Sequence, residues 1–329
     1  LGVLIMNELY LKSMDEAIKK INDSNNIFIA SHINPDGDNI GSSLSLALAL
    51  KKINKKVNVL ISDNIPKDYI FLPGIDLYKD YDESLGSIDL FISVDSSDIE
   101  RLGTNKDLLN KSKTIINIDH HISNTNFGHI NIVDSKSAAT GELIYFLIKR
   151  MGISIDKDIA TNIYTAINTD TGCFSYESVT SSTHRIAAEL IDAGVDVKNI
   201  NINLYESSSI ERTKLFIRAI SSLKTYSNNQ IAIVRVTQKI LEETNTTMDD
   251  TEGIVSFIRS IAPVEVSCLL KELGDKEIKV SLRSKEYVNV AAICEKFNGG
   301  GHIRAAGCTI YEDIDRAEMK IIEEMTRNI

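Results

Sequence analysis

Short apolar runs separated by longer amphipathic stretches dominate the first half of the chain. Residues 27–30, 57–61, 88–94 and 114–118 are brief, apolar and bounded by polar residues, as strands buried on both faces are. Residues 14–23, 44–53, 106–111, 138–151, 159–168 and 184–193 carry helical spacing, with Ala17, Ile18 and Ile21 as the apolar stripe of the first. The alternation predicts an α/β fold whose first domain is organised on a parallel sheet.

Three of the four predicted strands run directly into Asp or His residues. The first leads to the polar stretch 31–42 with His32, Asp36 and Asp38, another to Asp95, and another to Asp119-His120-His121. Ligands of open α/β sheets sit beyond the carboxyl ends of the strands, so these side chains are expected on one rim. Asn168-Thr169-Asp170-Thr171-Gly172 closes a helical stretch and can bring Asp170 to the same rim. A Pro-Asp-Gly sequence alone is an ordinary turn. In an extended segment, however, Asp36 and Asp38 would point to the same side of the chain, with Gly37 between them.

Around residues 192–209 the pattern turns polar, and a linker or linking helix is expected there. A second unit follows, with a strand at 230–236, a helix at 252–261 stopped by Pro263, and strands at 264–270 and 277–282 joined through Gly274-Asp275. A helix at 288–297, the run Gly299-Gly300-Gly301-His302 and a closing helix after Tyr311 complete it.

The chain has 329 residues, long for one core, and a formal charge of -10 from 46 acidic against 36 basic residues. Without clustered Lys and Arg, affinity for a long nucleic-acid backbone is not expected, whereas a short nucleotide held by a few Arg remains compatible. No apolar run approaches the ~18 residues of a membrane span. Residues 1–6 lack the basic start of a signal peptide and are read as upstream of a start at Met6. Cys173, Cys268, Cys294 and Cys308 form no C-x-x-C pair and fit reduced thiols in a cytoplasmic protein.

Five carboxylates and three imidazoles on one rim, with no thiolate, suit hard or borderline cations: Mn²⁺ first, with Mg²⁺, Co²⁺ or Zn²⁺ as substitutes. So many like charges favour two ions over one, and such a pair suits hydrolysis of a phosphate ester by hydroxide generated from water. If the segment is extended, His120 and His121 point in different directions, one to metal and one to substrate. The glycines 299–301 let backbone N–H groups approach an anion, although a bare Gly triplet is more often a hinge. Arg283, at a strand end, and Arg101 are candidates for bidentate phosphate contacts, although a lone Arg is usually a solvated surface group. No P-loop or G-x-G-x-x-G motif is present. His129 and His184 read as structural and Cys173 as a small packing residue. Tyr164, Phe174 and Tyr176 could stack on a base, but their spacing is more often that of core residues.

Taken together, these motifs resemble the DHH phosphoesterases, in the branch of nanoRNases and pAp phosphatases that carries a DHH-associated C-terminal domain. The resemblance rests on His32-x-x-x-Asp36-x-Asp38 with Ile40-Gly41-Ser42, Asp95 with Arg101, Asp119-His120-His121, and Thr169-Asp170-Thr171-Gly172. Gly299-Gly300-Gly301-His302-x-x-Ala305-Ala306-Gly307 and Ser281-x-Arg283-Ser284 match the C-terminal domain. Asn39 departs from the pattern, standing where the family usually has Ala.

The resemblance implies a catalytic domain over 1–194, a linker helix region over 195–228 and a smaller α/β substrate-binding domain over 229–329, with the active site in the cleft between them. It implies that His32, Asp36 and Asp95 hold one metal, and that Asp38, Asp95, His120 and Asp170 hold the other. His121 would contact the scissile phosphate and Asp119 would support the cluster, while Arg101, Arg283, Ser284, Gly299, Gly300, Gly301 and His302 would bind substrate. The implied activity is hydrolysis of short oligoribonucleotides to mononucleotides and of adenosine 3',5'-bisphosphate to AMP by a monomer or homodimer. A phosphodiesterase for cyclic dinucleotides or their linear products, and a nucleotide sensor with a dead site, are the alternatives.

Overall fold

The computed structural model describes residues 8–329, so the reading of residues 1–6 lies outside the described residues. The chain divides into two compact units, one ending at Ser207 and the other spanning Ser208–Ile329.

In the first unit α1 (Glu8–Asp23) precedes β1 (Asn26–Ala30), α2 (Gly37–Lys52), β2 (Lys56–Leu60), β3 (Tyr78–Lys79), β4 (Ile88–Val94), β5 (Ser112–Asp119) and β6 (Ile130–Val133). Four helices follow: α3 (Thr140–Arg150), α4 (Lys157–Asp170), α5 (Ser181–Asp192) and α6 (Val197–Tyr205). The strands form one parallel sheet in the order β3-β2-β1-β4-β5-β6. Strand order reverses where β4 is laid beside β1, which places the topological switch point at their carboxyl ends.

Side-chain alternation explains why both faces are covered. Ile27, Ile29, Leu90 and Ile92 pack into the large cluster beneath the helices, while Phe28, Ala30 and Phe91 pack with Leu102 and Leu108 on the other face. The second cover is a 3₁₀ stretch, Glu100–Lys111, kinked at Gly103, rather than the α-helix expected at 106–111. The short β3 and the strand β6 were not anticipated; β3 is two residues long and the pattern around β6 is half polar.

Helix α2 is buried almost throughout its first three turns and packs against α3 and α4. The approach of α4 is antiparallel and close. A Cβ at Gly37 would lie 2.4 Å from the Thr169 hydroxyl, and one at Gly41 would lie 2.4 Å from the Asn162 carbonyl oxygen and 3.1 Å from the Ala166 Cβ.

The second unit contains α7 (Ile210–Ile220), β7 (Lys224–Tyr226), β8 (Ile231–Val236), α8 (Gln238–Thr244), α9 (Ile254–Arg259), β9 (Val266–Gly274) and β10 (Glu277–Ser284). It ends with α10 (Val290–Glu295), β11 (Gly300–His302), β12 (Ala305–Ile310) and α11 (Ile314–Thr326). Its sheet has the order β11-β12-β10-β9-β8-β7, antiparallel except at β8–β9. One face packs on α10 and α11 and the other on α7, α8 and α9.

The glycine run, for which a hinge was the common reading, forms an edge strand. Gly300–His302 pairs with Ala305–Gly307 of β12, a strand the sequence pattern did not suggest because its Ala-Ala-Gly start lacks β-branched residues. The four cysteines are free, and Cys268, Cys294 and Cys308 are buried. Among the described residues no helix is long and apolar enough to cross a membrane.

The α2–α4 contact generates a stability prediction. Gly41→Val should cost about 1–3 kcal/mol through overpacking against the Asn162 carbonyl, measured by denaturant unfolding of the purified protein.

Candidate functional site

The chain leaves β1 at Ala30 and enters α2 within seven residues, which differs from the extended segment expected around Asp36 and Asp38. Asp36 is the N-cap of α2, its carboxylate accepting the Asn39 N–H at 3.0 Å. Asp38 lies in the first helical turn and is 1% exposed. The two carboxylates diverge because a cap and a helical residue two positions on do not share a face.

Asp38 is held from across the unit. Its Oδ2 accepts the Thr140 N–H at 2.6 Å, and its Oδ1 accepts the Gly141 N–H and the Ser42 hydroxyl, both at 2.9 Å. The N-cap of α3 is Ala139, which has no capping side chain. Asp38 therefore satisfies two of the donors that a helix start leaves open, and negative charge is favoured there. Thr140 also donates its hydroxyl to Asp95 Oδ1 at 2.8 Å. Sequence reasoning missed Thr140; its only signal was a helix start without a capping residue.

Asp95 follows β4 with φ +59, a left-handed conformation that costs a non-glycine residue about 1–3 kcal/mol. Its N–H is fixed to the Ile118 carbonyl at 2.8 Å. Strain at this position is stored where one carboxylate must face several partners. His32 Nε2 lies 3.4 Å from Asp95 Oδ2, while His120 Nε2 and His121 Nδ1 lie 3.8 and 3.7 Å from Asp95 Oδ1. The two adjacent imidazoles thus converge on one carboxylate, ring centroids 4.8 Å apart, instead of pointing in different directions. The strand ends at Asp119, so strand alternation does not apply to them.

His32 Nδ1 lies 2.8 Å from the Ile33 carbonyl, and His120 Nδ1 lies 3.2 Å from that of Ser137. With Nδ1 donating to a carbonyl, each ring turns the Nε2 lone pair inward. His32 Nε2 is buried and has no hydrogen-bond partner, an orphan that a cation would satisfy. His120 Nε2 reaches Asp170 Oδ2 at 3.3 Å and Asp38 Oδ2 at 3.8 Å. Asp119 is buried behind this pair, bonded to His121 Nδ1 at 2.6 Å and to the Asn124 amide at 2.5 Å.

Ligand atoms of His32, Asp36 and Asp95 lie within 4.8 Å of one another, as do those of Asp38, His120 and Asp170, and those of Asp95, His120 and His121. Burial, then Asp95, Asp170 and Asp36, push the Asp38 carboxyl well above its usual range. Burial raises Asp170 to about 7 despite His120, with Asp95 and Asp36 adding to it. Asp95 is also penalised by burial, but the His32 imidazole, whose Nε2 faces it at 3.4 Å, and the charges of His120 and His121 bring it down to about 2. His121 loses to burial and gains more from Asp119 and Asp95, reaching about 9. The donor set, the orphaned nitrogen and the mutual repulsion fit divalent cations.

Arg101 lies against this group with Nη2 3.1 Å from His32 Nδ1. Asn39 is buried, donating to the Val94 carbonyl at 2.8 Å and accepting from Ser31, so it ties the end of β1 to that of β4. His129 accepts the Ile115 N–H and His184 stacks on Phe174, both structural as expected. Cys173 is exposed, which corrects its reading as a packing residue; a left-handed turn carries it outward. In the second unit, strand alternation turns Arg283 and Ser284 to opposite sheet faces, Arg283 partly exposed and Ser284 buried. Gly300, Gly301 and His302 are exposed on the edge strand, and Gly299 packs closely against Cys308.

Residues 26–167 match the model of the DHH family N-terminal domain, and residues 228–328 match the DHHA1 domain. The chain is 33% identical over 306 residues to the bifunctional oligoribonuclease and PAP phosphatase NrnA of Thermus thermophilus, covering 92% of this chain and 90% of that protein. It is 28% identical to the protein of the same name from Bacillus subtilis, covering 92% and 95%. An exopolyphosphatase-related protein from Bacteroides fragilis superposes with a TM-score of 0.92 at 31% identity, covering 96% of both chains. This chain belongs to the DHH family and carries a DHHA1 domain.

The titrations predict how the metal-free protein behaves. Asp170 and His121 both have folded pKa values above their unfolded ones, so their contributions are lost as pH rises through about 7 and about 9. The depressed Asp95 keeps its contribution across this window, since it is lost only in acid. In EDTA, Tm should therefore fall as pH rises from about 4 to about 9, Asp170 acting up to about 7 and His121 from about 6.5 to about 9, and a divalent cation added in excess of the chelator should flatten that fall; differential scanning fluorimetry across pH reads both.

Proposed function

We propose that this protein is a metal-dependent phosphoric ester hydrolase that cleaves short oligoribonucleotides to mononucleotides and adenosine 3',5'-bisphosphate to AMP. The observation that carries the reading is the pair of ligand groups, His32/Asp36/Asp95 and Asp38/His120/Asp170, with Asp95 in reach of both histidines and His32 Nε2 without a partner. The names of the Thermus and Bacillus relatives support the substrate class.

In this reading His32, Asp36 and Asp95 hold one cation, and Asp38, Asp95, His120 and Asp170 hold another, with Mn²⁺ the preferred ion. Two divalent ions supply Lewis-acid charge for the phosphoryl oxygens and lower the pKa of water. Asp95 fixes the spacing of the two ligand groups. The Thr140 and Gly141 N–H groups keep Asp38 oriented. His121, cationic near neutral pH through Asp119, offers its other ring nitrogen to the phosphate and stabilises charge that grows in the transition state. Asp119 stabilises the charge and fixes the orientation of that ring. Arg101, whose guanidinium lies beside the His32 ring, would contact a phosphate oxygen. Arg283, Ser284, Gly299, Gly300, Gly301 and His302 of the second unit bind the nucleotide, the buried Ser284 from beneath the sheet surface. The domain division proposed is a catalytic domain over 1–194, a linking helical region over 195–228 and a substrate-binding domain over 229–329. The protein acts in the cytoplasm on small substrates.

A panel with Mn²⁺ tests the reading: dinucleotide RNA, adenosine 3',5'-bisphosphate, cyclic di-AMP, pyrophosphate and long single-stranded DNA. Turnover of the first two is expected, and preference for any of the other three would replace this assignment. Asp38→Ala and Asp170→Ala should each bind one ion fewer by metal analysis and lose at least about 100-fold in kcat with circular dichroism unchanged. Arg283→Ala should raise KM for nucleotides more than it lowers kcat, read from initial-rate kinetics.

A further inference from the structure

Immediately after Asp170 the chain makes an unusual turn. Gly172, Cys173 and Phe174 lie in succession in the left-handed region, with φ +55, +57 and +61. Two of the three are not glycine, so the conformation is strained and must be over-determined by its surroundings. It is held by the Cys173 N–H on the Asn168 carbonyl at 2.7 Å, the Phe174 N–H on the Thr171 hydroxyl at 3.0 Å, and the Ser175 and Tyr176 N–H groups on the Thr171 carbonyl at 3.0 and 3.1 Å. The Phe174 ring anchors it further, 5.6 Å from Tyr164 and 5.7 Å from the stacked ring of His184.

The product of this construction is the position of Tyr176. Its ring lies directly on Gly172, where a Cβ would stand 2.5 Å from the ring Cζ, so only glycine leaves room for it. Tyr176 nonetheless remains 48% exposed, an aromatic ring fixed along the side that lies on Gly172. Beside it Tyr205 is half exposed, its hydroxyl donating to Asn168 Oδ1 at 2.5 Å. Burial, then Cys173, Tyr176 and Tyr164, raise that phenol to about 12, so the Tyr205 hydroxyl is uncharged at neutral pH. Gly172 is two residues from Asp170, at most about 7 Å of chain. That is comparable with the separation of a nucleotide's phosphate from its base.

We propose that Tyr176 is a base-stacking residue, receiving the nucleobase of the nucleotide whose phosphate lies among Asp95, His120 and Asp170. The proposal rests on the phosphoesterase reading above and adds to it the source of nucleoside selectivity. Ligands of the phosphate cannot distinguish a nucleotide from another phosphate ester, whereas an aromatic face binds any base without reading its sequence. Short RNA of mixed sequence demands that kind of contact.

The test compares adenosine 3',5'-bisphosphate with abasic ribose 3',5'-bisphosphate in wild type, Tyr176→Ala, Tyr176→Phe and Tyr176→Leu. Tyr176→Ala is expected to raise KM for the nucleotide about 5- to 150-fold, with kcat little changed and KM for the abasic substrate unmoved. Tyr176→Phe should restore the nucleotide KM. Tyr176→Leu, which fills the space over Gly172 without a π face, should not. Equal losses on both substrates, or no loss on either, would overturn the proposal, the first by making Tyr176 a support of the Asp170 loop. Should Tyr176→Ala fail to fold, the contrast between Phe and Leu decides by the same criteria. Wild type inactive on both substrates refutes the phosphoesterase reading itself, an outcome distinct from active wild type with an indifferent Tyr176.

Discussion

Three carboxylates within interaction distance of one another, two of them fully buried, are the constraint on which the first unit depends. Burial, and then repulsion among Asp38, Asp95 and Asp170, leave Asp38 and Asp170 above the usual carboxylate range. Nothing in a folded core tolerates that without compensation. Much of the surrounding architecture is compensation. The start of α3 points its N–H groups at Asp38, Thr140 reaches Asp95, and three imidazoles crowd the same few ångströms. What protein groups leave unbalanced is the charge that cations would neutralise, and His32 Nε2 is the atom at which that remainder is visible.

The sheet order converts a scattered set of residues into this cluster. Because β4 lies beside β1, residues about sixty positions apart leave adjacent strand ends on the same rim. The left-handed conformation of Asp95 then turns its side chain toward the neighbouring segments at the point where a strand would ordinarily continue or reverse. The strain there and the strain of the Gly172–Phe174 turn fall on the segments that carry ligands, which agrees with the general concentration of backbone strain at working sites.

Much of this was legible in the sequence. Four of the six strands of the first sheet, the rim of acidic and imidazole side chains, and the family motifs were readable, because buried parallel strands are continuous apolar runs and their ends are marked by a change of residue type. Less legible was anything that depends on a neighbour in space. Thr140 and Asn124 are ordinary polar residues until Asp38 and Asp119 are placed against them. The first turn of α2 was read as a loop, since Gly-Asp-Asn has low helical propensity and only the cap at Asp36 and the packing of α4 enforce the helix. The strand β12 begins Ala-Ala-Gly and is held by pairing with β10 and β11 rather than by its own preference. The glycine triplet, read as an anion-binding loop or hinge, takes its strand conformation from the same partner.

The contact between α2 and α4 has a consequence beyond stability. Asp38 opens one helix and Asp170 closes the other, and the glycine notches opposite Thr169, Asn162 and Ala166 fix their antiparallel alignment. A slip of one residue would carry Asp170 about 1.5 Å along the axis and swing it through about 100°. The ligand geometry is therefore a gauge of helix register: two backbones in direct contact set it, and long, adaptable side chains do not.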